Sequence, residues 1–220
     1  MRYEIQVASP RKLGFLGGQY TASHYPEIEG LINTINNVSL PVAPGYAKFP
    51  GHTPVWNVAM DMAALTEGWG SQPYIDPREK RVANWKGDFE MTMNDGLRVL
   101  VEIELGNAAS AFRDLAKFEL GRKVDSFDFF MLGVPGPKAK EDIAYATSMD
   151  EIISREELYK LFVNTPCIIF EMEPRWRLDL VKETGQEPEY FKGRWGANQS
   201  KSLIEEFDLR GPLGIPKYDE

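Results

Sequence analysis

Apolar residues recur at helical spacing in four stretches of the chain and run almost unbroken in two others. Ile28, Leu31, Ile32, Ile35 and Val38 share one face, and Pro26 suits a first turn, so a helix is predicted over residues 24–37. In the next stretch Thr53 before Pro54 reads as an N-cap followed by the first helical position. Val55, Val58, Met62 and Leu65 then form one stripe that ends near Gly68 and Trp69. Asn107 is placed to cap a third helix, with Phe112, Leu115 and Phe118 as its stripe and Gly121 as its stop. Arg113, Asp114 and Lys117 are then expected on the exposed side of that helix, in ion pairs along it. Ser148 and Glu151 make a capping box for a fourth helix running to about Phe162.

The two unbroken apolar runs, residues 127–134 and 167–172, suit strands covered on both faces. Between the second and third helices, residues 88–104 alternate instead, and Asn94-Asp95-Gly96 suits a three-residue hairpin loop with glycine in the left-handed position. That loop sets Met93 opposite Leu97, Met91 opposite Val99 and Phe89 opposite Val101, all projecting to one side. A slip of one residue would destroy the segregation. The order strand, strand, helix, strand, helix, strand predicts an α/β fold with a central mixed β-sheet flanked by helices. At 220 residues a single domain is expected, with residues 173–220 a loop-rich extension of it.

The same register fixes the other side of the hairpin. Asp88 falls across from Glu102, with Glu104 on the diagonal, and directly opposed residues hold their Cβ atoms about 5 Å apart. Opposed like charges need a compensating cation, and all-oxygen ligation by few carboxylates suits magnesium. The plainer reading is an exposed acidic face neutralised by nearby bases. Arg98, however, pairs with Thr92 at the loop end, and Lys86 does not obviously account for three carboxylates. Glu90 is a weaker competitor for the ligand role.

Charge and composition narrow the classes. A formal net charge of −8 argues against an indiscriminate nucleic-acid coat protein, though a basic cleft in an acidic exterior is compatible with specific binding. Cys167 is the only cysteine, which excludes a disulfide framework or thiolate cage within one chain and leaves a buried, inert thiol. Neither a leader-like start nor an apolar run of spanning length is present, so a soluble, cytoplasmic protein is expected. His24 and His52 have no partner motif.

From here the residues resemble a known family, the type II restriction endonucleases of the BglII, BstYI and BamHI group, within the PD-(D/E)XK nuclease fold. Val101-Glu-Ile-Glu-Leu-Gly-Asn107, followed by Phe112-Arg-Asp-Leu-Ala-Lys-Phe118, is similar to that family's catalytic strand and following helix. Residues 125–134 resemble its next core strand, residues 53–69 its second helix and residues 25–42 its first. The likeness covers about residues 20–172. It implies Asp88 and Glu102 as metal ligands, the Ile103 carbonyl as a third, Glu104 in the position many relatives fill with lysine, and Gln72 as a polar group near the metal. The longer hairpin makes Asp88 rather than Asp95 the ligand.

What the resemblance implies is magnesium-dependent, site-specific hydrolysis of duplex DNA at a short palindrome, leaving 5′-phosphates. Glu104 would orient or deprotonate the attacking water, or bind a second metal. A homodimer is implied, with one site per strand, as is a cognate DNA methyltransferase in the same system. Alternatives are a non-specific or repair-type nuclease, a non-cutting DNA-binding descendant of the fold, and a glycoside hydrolase using paired carboxylates. For DNA reading, residues 190–201 hold three basic residues and no acid: Arg194, Asn198 and Gln199 are candidate base readers, and Lys192 and Lys201 candidate phosphate contacts. Lys86 could grip the scissile strand. An ordinary polar surface loop with its aromatics docked on the core explains residues 190–201 equally well.

Overall fold

The computed structural model of the chain describes residues 18–43, 52–78, 85–143, 145–155, 165, 167–193, 195–207 and 209. Its organising element is the hairpin. Strand β3 (Phe89–Thr92) runs antiparallel to β4 (Arg98–Ile103) with Phe89 opposite Val101, Met91 opposite Val99 and Thr92 opposite Arg98, the register expected from the alternation. The loop closes with the Met93 N–H donating to the Leu97 carbonyl at 2.8 Å, and Gly96 adopts a φ of 92°, a conformation glycine reaches without a side-chain penalty.

Strands β5 (Phe129–Pro135) and β6 (Ile168–Met172) extend the sheet in parallel from β4, and the short β2 (Gly70–Ser71) closes the other edge antiparallel to β3. The order is β2-β3-β4-β5-β6, a mixed five-stranded sheet flanked by helices. Every residue of β5 and β6 is buried, which is why both runs are apolar without alternation except for the buried Glu171. Parallel neighbours require crossovers. Helix α3 (Ala108–Lys123) provides the first, and α4 (Pro137–Asp142) with α5 (Met149–Ile153) lies on the second. Phe118 of α3 packs on Phe130 of β5 at 5.2 Å between ring centroids, so α3 covers the face that carries Glu102 and Leu100. On the opposite face Trp69 meets Phe89 edge-on at 6.1 Å.

Several expected boundaries move. Helix α1 (Gly18–Asn36) begins before residue 24 and contains Pro26, while Ile28, Leu31, Ile32 and Ile35 are buried as the stripe requires. Helix α2 (His52–Thr66) takes Thr53 inside rather than as its cap. Its apolar surface is two-sided. Trp56, Met60, Ala63 and Ala64 join the main core, Val55, Val58 and Met62 a second cluster, and Leu65 is rotated out to 52% exposure. Gly121 does not stop α3, which continues to Lys123; a Cβ there would sit 3.2 Å from Phe127 and 3.3 Å from Phe130, so this glycine permits close packing inside the helix. The Ser148–Glu151 capping box forms, but the helix it starts ends at Ile153 with Ser154 as its C-cap and does not run on to Phe162; residues 156–164 lie outside the described residues.

The C-terminal extension is more ordered than a loop-rich tail. Strand β7 (Arg177–Asp179) pairs in parallel with β1 (Leu40–Val42), and a short helix, Leu180–Thr184, a 3-10 turn, Pro188–Phe191, and a helix, Ala197–Glu206, follow. Leu178, Leu180, Phe191, Leu203, Ile204 and Leu209 bury themselves with Ala43 and Val55, so the tail covers the side of α2 turned from the main core. Among the described residues, no helix is long and apolar enough to cross a membrane.

Gly133 on β5 faces Ile103 in the ladder, and a Cβ there would lie 2.7 Å from the Phe170 ring and 2.9 Å from Ile103 Cδ1. Gly133→Ala is expected to destabilise the protein by about 1–3 kcal/mol through overpacking. A lowered urea midpoint at unchanged slope is the expected reading; an unaltered midpoint would show that the Phe170 ring is free to move aside.

Candidate metal and catalytic site

Where β3 begins and β4 ends, two acidic residues meet. Asp88 precedes the first residue of β3, and its Oδ2 accepts the Ile103 N–H at 2.7 Å, which pins the carboxylate across the end of β4. The N–H and carbonyl of one strand residue point to the same edge, so the Ile103 carbonyl lies on the Asp88 side, beyond the last rung of the ladder. Glu102, one residue earlier on β4, is 1% exposed. Gly87 makes the close approach possible, since a Cβ there would sit 2.3 Å from Leu100 Cδ1 and 3.2 Å from Glu102 Oε1.

The third face of the site comes from α3. Lys117 Nζ lies 2.7 Å from Glu102 Oε2 and 3.0 Å from Asp114 Oδ1, and all three side chains are buried. Arg113 adds a longer pairing to Asp114, 3.5 Å, from a largely exposed position. Asp114 and Lys117 were expected on the solvent side of the helix; they face the sheet instead. The buried positions of α3 are Ala111, Asp114, Leu115, Lys117, Phe118 and Gly121, one arc at spacings of three and four. That arc was readable in the sequence. Charge at two of its positions disguised it, because an i,i+3 acid–base pair is ordinarily a solvated surface pair.

Glu104 lies just beyond the end of β4. Its Oε1 accepts the Gly106 N–H, and Asp114 lies on its other side. Burial, then the adjacent Asp114 carboxyl, push Glu104 up to about 8. Burial also raises Asp88, against the Ile103 N–H and the Lys117 charge, and raises Glu102 well above the usual carboxylate range, with Asp88 and Asp114 adding to the effect. For Lys117 burial works in the lowering direction, but the Glu102 and Asp114 carboxylates outweigh it and the ammonium is held above its ordinary value. Three buried oxygens of the site, Glu102 Oε1, Glu104 Oε2 and Asp114 Oδ1, have no hydrogen-bond partner, although the Lys117 ammonium lies 3.0 Å from the last.

Among the described residues, no three His, Cys, Asp or Glu side chains converge into a ready-made metal cage. The donors that do adjoin are two carboxylates and a carbonyl, Asp88, Glu102 and Ile103. An orphaned, buried Glu102 oxygen in an all-oxygen set fits a hard divalent ion that keeps several of its waters, as magnesium does.

The remaining candidates divide. Gln72 is exposed and adopts φ 51°, unusual for a residue with a side chain, while its N–H donates to the Asp88 carbonyl at 2.9 Å. Lys86 shares the ribbon with Asp88, bridged to Tyr74 with its ammonium 4.8 Å from that ring. In the tail, Lys192 is paired with Glu189, Lys201 lies 3.9 Å from Glu205, and Gln199 accepts the Gly196 N–H at 2.8 Å. Asn198 is exposed on the last helix and lines an open groove with Tyr190, Trp195 and Ser202. Arg194 lies outside the described residues. Phe191 is fully buried and stacks with Trp195, which docks this segment on the core, while Tyr190 stays exposed. Cys167 is buried, which pushes its thiol pKa up and leaves it inert. Comparison with known protein families and with curated proteins finds no match.

The raised Glu104 carboxyl sets a pH dependence. A group that binds its proton more tightly folded than unfolded stabilises the fold below its unfolded pKa and loses that contribution as pH rises toward the folded value. The metal-free protein is therefore expected to lose thermal stability between the ordinary glutamate value of 4.5 and about 8. In Glu104→Gln that part of the loss should vanish. Parallel melting-temperature profiles for the two proteins across this range would refute the assignment.

Proposed function

We propose that the chain is a metal-dependent nuclease that hydrolyses the phosphodiester backbone of duplex DNA at a short specific sequence. The observation that carries this reading is the pairing of Asp88 and Glu102 across the end of the hairpin, with one Glu102 oxygen buried and unpartnered. An oxygen left without a hydrogen bond in a buried site is costly, and a cation relieves it. The resemblance of residues 101–118 to the catalytic strand and helix of the BglII, BstYI and BamHI group points to restriction cleavage at a palindrome. It carries with it a homodimer and a partner methyltransferase.

Asp88, Glu102 and the Ile103 carbonyl would hold magnesium. Bound there, the ion supplies positive charge to the non-bridging phosphate oxygens and acidifies water for in-line attack. The Ile103 N–H holds Asp88 in the orientation that offers its other oxygen to the site. Lys117, 2.7 Å from Glu102, works against the burial that raises this carboxyl. Glu104 would orient or deprotonate the attacking water, or bind a second metal; its carboxyl, pushed up to about 8 in the metal-free chain, would serve as a base only once a nearby cation favours its ionised form. Lys86 is placed to contact the phosphate strand beside Asp88, and Asn198 is the tail's candidate for a base edge.

Purified protein incubated with plasmid DNA and magnesium should give discrete fragments with 5′-phosphate ends, and with calcium a gel shift without cutting. Asp88→Asn and Glu102→Gln should each slow cutting by about 100-fold or more while leaving the calcium gel shift in place. A random smear would indicate a non-specific or repair-type nuclease. A gel shift with no cutting under any metal would indicate a binding protein.

A further inference from the structure

We propose that Lys117 is a built-in counter-cation for the site: it holds Glu102 in place in the metal-free protein and releases Glu102 Oε2 to a divalent ion when one binds. This inference rests on the nuclease reading only for the metal. Its grounds are three features of α3 and β4. Lys117 is buried at 6% exposure, where an ammonium is costly unless carboxylates surround it, and Glu102 and Asp114 do so at 2.7 and 3.0 Å. Glu102 and Asp114 contact this one buried ammonium, and Asp88 lies within electrostatic range of both it and Glu102, so acidic groups outnumber the one base at the centre. The second Glu102 oxygen has no hydrogen-bond partner, so the ammonium occupies only half of the carboxylate's capacity.

Lysine suits such a role better than arginine. It is a point charge on a flexible four-carbon stem, without the forked geometry that locks a guanidinium to one carboxylate. Lys117 is thus a positioning residue that acts through Glu102. The ammonium and the divalent ion compete for the same negative charge.

The test is manganese binding by calorimetry, without DNA and in alkaline buffer where protons compete least, comparing the wild-type chain with Lys117→Met. Removing one competing charge at this range should tighten the manganese Kd by roughly tenfold or more. A purely structural lysine would leave affinity unchanged or weaken it through loss of order, and either result overturns the proposal. Binding by neither protein would sink the nuclease reading along with it, whereas binding of equal strength by both sinks this inference alone. If Lys117→Met does not fold, the wild type gives the answer through the 15N resonance of its buried lysine ammonium. That signal should be protected from solvent exchange in the metal-free chain and lose its protection at saturating magnesium; a signal unmoved by magnesium refutes the exchange.

Discussion

The ion pair between Glu102 on β4 and Lys117 on α3 is the contact around which the site is arranged. Strand β4 lies inside the sheet, hydrogen-bonded to β3 on one edge and β5 on the other, so Glu102 can meet a compensating charge only from the helix laid across its face. That helix is positioned by apolar packing, through Phe118 on Phe130 and the close seat of Gly121 against Phe127 and Phe130. Rotating α3 by one residue, about 100°, would withdraw the ammonium and leave a buried carboxylate uncompensated. The pair adds little net stability, since desolvation offsets most of its attraction, but it selects one rotation of the helix over its neighbours.

The acidic centre sits at the carboxyl end of β4, beside the carboxyl end of the parallel strand β5, where α/β folds commonly open a crevice for ligands. The antiparallel ribbon delivers Asp88 to that end because β3 starts where β4 stops. Backbone amides then complete the placement. Ile103 holds the Asp88 side chain, and Gln72, in its left-handed conformation, holds the Asp88 carbonyl. Asp88 is therefore fixed from both neighbouring strands.

The C-terminal extension does different work from the hairpin. Lys192 and Lys201 make local pairs and Phe191 is completely buried, while the last helix joins α2 through Leu203 and Ile204. Helix α2 is consequently shared by two apolar clusters, and its exposed Leu65 is the residue left between them. The local inversion of charge in residues 190–201 marks an amphipathic surface segment as well as it marks a nucleic-acid contact, and Asn198 and Gln199 line an open groove beside Tyr190 and Trp195.

Local pattern in the chain was enough for the hairpin register, the two fully buried strands, the Asn107 and Ser148 caps and a mixed sheet flanked by helices, because each follows from the period or capping chemistry of its own residues. The meeting of Asp88 with Glu102 was legible for the same reason: one turn and one alternation determine it. Tertiary packing alone decided that Asp114 and Lys117 face inward, that Glu104 lies beside Asp114, and that the tail folds against α2. A charged residue at helical spacing is neutral between surface and interior until the opposing face is known. Here that face carries a buried carboxylate, and sequence spacing holds no record of what another element presents.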